Sequence, residues 1–263
     1  MNWKTRSPLK DKPLRLPGQS LEEERRKLLE DKLEMAVLAA IFVTMMAVME
    51  WWRYYFDRPP KPVLFSVMAL ACAAFAAWRV WRVRPRLRAL RQGMEGERAV
   101  GQFLERLRER GYQIFHDVIG NGFNLDHVLI GPAGVFTIET KTWSKPLKGD
   151  ARVICEGDSL RIGSLEPDRN PIIQARAQAA WLQQLLSDST GKKYAVRPVI
   201  LFPGWYVEPD PASTRGGVWV LEPKALPAFL ANETTVLEKE NIALASFHLA
   251  RFVRAEERRM AAS

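Results

Sequence analysis

The sequence predicts an α/β domain preceded by a hairpin of two membrane-spanning helices. Three observations lead there. Two long, uncharged apolar runs stand early in the chain, at 35–49 and 62–78. Beyond residue 93, short β-branched runs alternate with segments of helical period. The 263 residues suffice for one good-sized domain plus additional segments, and they carry a net charge of +9 with 47% hydrophobic residues.

The N-terminal segment, 1–34, is basic. Residues 1–20 hold Pro8, Pro13, Pro17 and Gly18 among basic side chains and are expected to be disordered. Residues 21–33 are rich in charge and in helix formers and should lead helically into the first span. Residues 35–81 form the hairpin. Its first run continues through Glu50 into Trp51, Trp52, Tyr54, Tyr55 and Phe56, and its second ends near Trp81. With their aromatic ends both approach the ~20 residues that cross a bilayer, and the aromatics suit its interfaces. Neither run has the polar stripe of a soluble amphipathic helix. The link 57–61, with Pro59 and Pro60, breaks helices. The late start and the long charged segment before it argue against a cleaved signal peptide. Glu50 is expected to reach the interface or pair with Arg53.

Basic residues set the orientation. Lys4, Arg6, Lys10, Lys12, Arg15, Arg25, Arg26, Lys27 and Lys32 precede the first run, and Arg79, Arg82, Arg84, Arg86, Arg88 and Arg91 follow the second. The connecting loop has only Arg58 and Lys61, with Arg53 at its edge. Both termini and the α/β domain are therefore expected on the cytoplasmic side of the cell (inner) membrane. The bilayer is one expected partner, and a two-helix anchor of this kind allows a homo-oligomer. Residues 82–92 are read as an arginine-rich juxtamembrane linker suited to lipid phosphates.

The α/β domain is placed at 93–221. A helix over 96–110 buries Val100, Phe103, Leu104 and Leu107 and ends at Gly111. Strands follow at 112–118, 124–130 and 135–141. The last two are joined by Gly131, Pro132, Ala133 and Gly134, a hairpin signal. A further hairpin is read at 151–156 and 159–163. The helix 171–187 is capped by Asn170 with Pro171 at its first position, and Ile173, Ala177, Trp181 and Leu185 should face the sheet. Strands at 196–202 and 217–221 complete the domain. Residues 222–263 are read as a mainly helical C-terminal segment.

The hairpin carries the chemistry. If Ile130 pairs with Val135, then Val128 faces Thr137 and Asp126 faces Glu139, ~5 Å apart at Cβ. Lys141, two residues on, projects from the same side, while Phe136 and Ile138 cover the other face. Two carboxylates and an ammonium on one face could hold a hard cation such as Mg2+ or Mn2+ and act on a phosphodiester. The plain alternative is a solvated face of an antiparallel sheet. Glu97 by itself reads as an acid suiting the helix dipole, and Gln174 with Gln178 as a helix edge.

Other chemistries find little support. Cys72 and Cys155 form neither a disulfide framework nor a metal cluster. His116, His127 and His248 lack zinc spacing, and strand alternation turns His127 away from Asp126 as a packing or hydrogen-bonding residue. No P-loop or dinucleotide fingerprint is present.

Five pieces occur in order between Gly93 and Gly204: Gly96-Glu97; Asn124-Leu125-Asp126-His127; Gly131-Pro132-Ala133-Gly134-Val135-Phe136; Ile138-Glu139-Thr140-Lys141; and Asn170-Pro171-Ile172-Ile173-Gln174. Together they resemble the NERD (nuclease-related) domain of the PD-(D/E)XK nuclease superfamily. The resemblance covers under half of the chain. It implies a mixed central sheet flanked by helices and a metal-dependent nuclease. By matching position, Asp126 and Glu139 would bind the metal and Lys141 would be the catalytic lysine. Glu97 would be a supporting acid, and Gln174 a helix residue reaching toward the site. Mg2+ (or Mn2+) is the expected cofactor and nucleic acid, DNA foremost, the expected partner. A membrane-tethered nucleic-acid-binding or scaffold protein without turnover is the alternative that the sequence leaves open.

Overall fold

The computed structural model describes residues 14–56, 61–145, 152–156, 159–162, 170–208 and 217–262. The expected disorder of 1–13, most of the helix-breaking link at 57–61 and the turn at 157–158 lie outside them. The chain divides into two compact units, residues 20–92 and residues 1–19 with 93–263.

The first unit is helical. α1 (Gln19–Leu29) passes through a π-helical turn, Glu30–Glu34, into α2 (Met35–Tyr55). α3 (Pro62–Glu105) begins in this unit and runs unbroken through Pro85. The residues read as a linker, 82–92, are thus helical. Proline removes one amide donor, but the arginines, leucines and alanine around it favour helix strongly enough to continue. α2 and α3 each contain a stretch long and apolar enough to cross a membrane, only 11% and 6% buried. A soluble core helix would be mostly covered. Glu50 accepts hydrogen bonds from Arg53 Nη1 at 3.1 Å and from the Lys61 amide at 3.0 Å, and Trp51 Nε1 donates to Ser66 Oγ at 3.1 Å. The Glu50–Arg53 pairing is the one its spacing predicts.

The second unit is the α/β domain. Its strands are β1 (Gln113–Ile119), β2 (Asn124–Gly131), β3 (Gly134–Thr140), β4 (Arg152–Glu156), β5 (Ser159–Ile162), β6 (Val196–Leu201), β7 (Tyr206–Val207) and β8 (Trp219–Leu221). The main sheet has the order β1-β2-β3-β6-β8, and a smaller one the order β5-β4-β7. β1, β2 and β3 are antiparallel neighbours, whereas β3–β6 and β6–β8 are parallel, so the sheet is mixed. The expected hairpin register is present: Ile130 pairs with Val135 and Val128 with Thr137.

Helices cover both faces. On one, Val100, Leu104 and Leu107 meet Phe136, Ile138, Trp219 and the short α5 (Leu226–Asn232). On the other, α4 (Pro171–Thr190) and α6 (Lys239–Ala262) bury Leu182, Leu186, Ala245 and Leu249 against Val128, Ile130 and Val135. The face bearing Glu139 is therefore covered, which removes the solvated-face alternative.

Two further sequence-based expectations change. The buried stripe of α4 is Ile172, Ala175, Gln178, Ala179, Leu182 and Leu186, and Ile173 is 62% exposed. Strict four-residue steps drift ~40° per step around a helix of 3.6 residues per turn, so 173, 177, 181 and 185 cannot all face one sheet. Residues 14–19 belong to the α/β unit, since Leu14, Arg15 and Pro17 find partners far along the chain.

Candidate functional site

β2 and β3 pair as far as His127↔Ile138, and one step further the same register sets Asp126 opposite Glu139. There the Asp126 carboxylate enters the pairing, its Oδ2 accepting the Thr140 amide at 2.6 Å. On the other side of β2, the register with β1 runs from His116↔His127 to Val118↔Leu125, which sets Asp117 opposite Asp126. Three acids, Asp117, Asp126 and Glu139, thus occupy matching positions on three adjacent strands.

Glu139 is 5% exposed, and both of its oxygens are held. Oε1 accepts Lys141 Nζ at 2.6 Å and Gln174 Nε2 at 2.8 Å, and Oε2 accepts Gln178 Nε2 at 2.7 Å. Lys141 Nζ also donates to Gln174 Oε1 at 3.2 Å, closing a triangle of Glu139, Lys141 and Gln174. Gln178 Nε2 donates as well to the Asn124 carbonyl at 3.0 Å, tying α4 to the start of β2. Gln174 and Gln178 are four residues apart, so one helix face delivers both amides. The Lys141 amide donates to the Leu201 carbonyl at 2.9 Å, which carries the contact with β6 just past the end of β3.

Glu97 arrives from α3. Its neighbour Gly96 lies so close to Thr142 that any Cβ would overlap the threonine side chain, so glycine permits the approach. Glu97 is buried and its pKa is raised to about 8 by desolvation first, then by Asp117 and Glu139; a hydrogen bond from the Gly18 backbone and the Lys141 charge oppose the rise. Asp126 keeps part of its surface open but is closely surrounded by protein. Desolvation, then Glu139 and Glu97, push it well above the usual carboxylate range, against the Thr140 amide and Lys141. Such a cluster of acids repels itself and is relieved by a cation.

The donors suit a hard divalent ion. Among the described residues, no three His, Cys, Asp or Glu side chains are placed to hold an ion by themselves. Two carboxylates, Asp126 and Glu139, remain, and Mg2+ is commonly held by one or two carboxylates with water and substrate phosphate completing the octahedron. Their oxygen donors are of the type that such an ion takes.

Of the expected residues, Asp126, Glu139, Lys141 and Gln174 meet at one end of β2, β3 and α4. Glu97 is near enough to perturb and be perturbed electrostatically. Sequence reasoning did not single out Asp117, Arg15 or the buried role of Gln178. Gln178 was discoverable from the 3.6-residue period of α4. His127 points away from this cluster, as alternation predicts: its Nδ1 lies 2.9 Å from His116 Nδ1, and His116 Nε2 lies 2.9 Å from Glu105 Oε1. Burial lowers the proton affinity of both imidazoles.

Among known proteins, no curated sequence matches this chain. A solved structure, that of Pyrococcus furiosus SfsA in complex with Ca2+, shares 21% identity over 49% of this chain and 54% of its own length, with a TM-score of 0.25. The chain spans about half of that protein, and the likeness is too slight to argue from. Residues 92–203 match the family model described as "NERD: Nuclease-related domain". The chain thus carries a nuclease-related domain at 92–203, the stretch that contains Glu97, Asp126, Glu139, Lys141 and Gln174.

Proposed function

We propose that this protein is a membrane-anchored, divalent-metal-dependent nuclease that hydrolyses phosphodiester bonds of cytoplasmic nucleic acid, with DNA the expected substrate. The observation that carries the reading is the convergence of Asp126 and Glu139 with Lys141, braced by two glutamine amides from one helix. Asp126 and Glu139 would hold Mg2+ or Mn2+. When bound, that ion would polarise a phosphoryl oxygen and acidify a coordinated water.

The chain's own groups would do the rest. Gln174 and Gln178 fix the Glu139 carboxylate. Lys141 Nζ, held between Glu139 Oε1 and Gln174 Oε1, would donate to the attacking water or to a phosphate oxygen as negative charge develops there. In the reaction, a bond forms between water oxygen and phosphorus, the bond to the leaving oxygen breaks, and a proton passes from the water to that oxygen. The net charge of +9 favours a polyanionic substrate. The two exposed apolar stretches of α2 and α3, with arginine and lysine concentrated at their outer ends, support anchoring with the domain in the cytoplasm.

The test is cleavage of labelled single- and double-stranded DNA and RNA by the purified chain with Mg2+, Mn2+ or EDTA, beside Asp126→Ala and Glu139→Ala. Metal-dependent cleavage lost in both variants supports the reading. Undiminished cleavage by either variant overturns the mechanism. Salt-dependent binding that is indifferent to EDTA, with no cleavage, would point instead to a tethered binding module.

A further inference from the structure

The unit that holds the site is built from two pieces of chain, residues 1–19 and 93–263, separated in sequence by the apolar helices. The described part of the first piece, residues 14–19, lies against the stretch of α3 that carries Glu97. Gly18 has φ 72°, and a Cβ there would stand 3.1 Å from Met94 Cγ. Pro17 packs at Gly101. Met94 and Gly101 bracket Glu97 on the helix, and the Gly18 backbone donates a hydrogen bond to the Glu97 carboxylate. Leu14 packs against the core cluster to which Val118 and Leu125 belong.

Between these anchors Arg15 is 6% exposed, and its Nε donates to Asp117 Oδ2 at 2.7 Å across 102 positions of sequence. Asp117 is 2% exposed and has φ 50°, a left-handed backbone that a non-glycine residue keeps only when its surroundings enforce it. Charged groups this buried persist when paired, and removing one partner disturbs the placement of the other. Arg15→Met would remove the donation that holds Asp117 beside Glu97.

We propose, building on the metal-nuclease reading, that residues 14–19 are a working part of the site. Arg15 is a positioning residue that holds Asp117, and the Gly18 amide holds Glu97. A segment that precedes the apolar helices thereby sets two acids of a cluster formed beyond them. The domain is consequently incomplete when begun at residue 93.

The experiment uses the full chain in detergent micelles. Arg15→Met, Arg15→Lys and the double variant Arg15→Met/Asp117→Asn are compared with wild type. Mn2+ uptake is followed by electron paramagnetic resonance, and hydrogen exchange is measured across the chain. Arg15→Met is expected to weaken Mn2+ binding about tenfold or more, the worth of one charge-assisted hydrogen bond. It should speed exchange in residues 93–100 and 113–119 while leaving α4 and β6 unchanged. Arg15→Lys, which keeps the charge without the planar fork, should recover part of the loss. The double variant, which removes both members of the ion pair, should return to within about twofold of wild type. Mn2+ binding and exchange unchanged in Arg15→Met would overturn the proposal. So would loosening of every element alike with no recovery in the double variant. If wild type takes up no Mn2+, the metal reading fails by itself, and the positioning role stands or falls on the exchange pattern.

Discussion

Gln178 offers a direct measure of how tightly the site is braced. The residue is 3% exposed, and its side-chain amide donates to two acceptors, Glu139 Oε2 at 2.7 Å and the Asn124 carbonyl at 3.0 Å. Gln178→Met keeps the length and most of the volume of the side chain but removes both donations. A hydrogen bond to a charged group contributes about 1.5–3 kcal/mol, and a neutral one about 1 kcal/mol. The buried carboxylate oxygen would be left without its amide, so a loss of about 2 kcal/mol or more is expected in the metal-free chain. Native-state hydrogen exchange of the β3 amides reads this locally, without requiring the whole chain to unfold in one step. At 1.4 kcal/mol per factor of ten, those amides should exchange roughly 30-fold faster. The decisive comparison is a double-mutant cycle with Glu139→Gln. Once the carboxylate is neutral, Gln178→Met should cost about half as much. Equal costs in the two backgrounds, or a change below about 0.5 kcal/mol, would refute the view that Gln178 acts on the Glu139 charge.

Three further outcomes are expected. Lys141→Ala should lower cleavage about 10²–10³-fold, as removal of one transition-state donor does, while leaving the circular dichroism spectrum unchanged; retained cleavage would remove Lys141 from the mechanism. Gly96→Ala should destabilise the domain by about 1–3 kcal/mol through overlap with Thr142, although alanine is the better helix former, and a raised melting temperature would contradict the close approach. The metal-free chain should also lose stability as pH rises. Glu97 holds its proton up to about 8 against an ordinary 4.5, so the folded state binds more protons than the unfolded one between those values. That stabilisation is complete below about 4.5 and is lost as pH passes through about 8, with a slope of up to about 1.4 kcal/mol per pH unit. Denaturant titrations across that range measure it; stability that rises with pH would refute the assignment, and saturating Mg2+ should flatten the dependence.

The hairpin of β2 and β3 is legible because its determinants are local. A glycine- and proline-bearing turn, two β-branched runs and a period of two fix Ile130 opposite Val135, and the same counting brings Asp126 and Glu139 to facing positions. The apolar runs of α2 and α3 are equally plain, since composition over some 20 residues needs no partner to be read. Burial of the Glu139 face is not local. It depends on α4 and α6 lying over the sheet, and only that packing converts Gln178 from a helix edge into a ligand of the carboxylate. α3 continues through Pro85 where composition suggested a linker, because the helix-favouring residues on both sides outweigh one missing donor. Arg15 lay in a segment whose proline and charge content reads as disorder, and Asp117 in a strand with no feature to mark it. Their pairing spans 102 residues, and periodicity carries no information at that distance. The sequence by itself determined the strands of the main sheet, the register of the β2–β3 hairpin and the acids near it. Tertiary structure decided which of those acids are buried and what compensates them, because desolvation and long-range charge pairing arise only when distant segments meet.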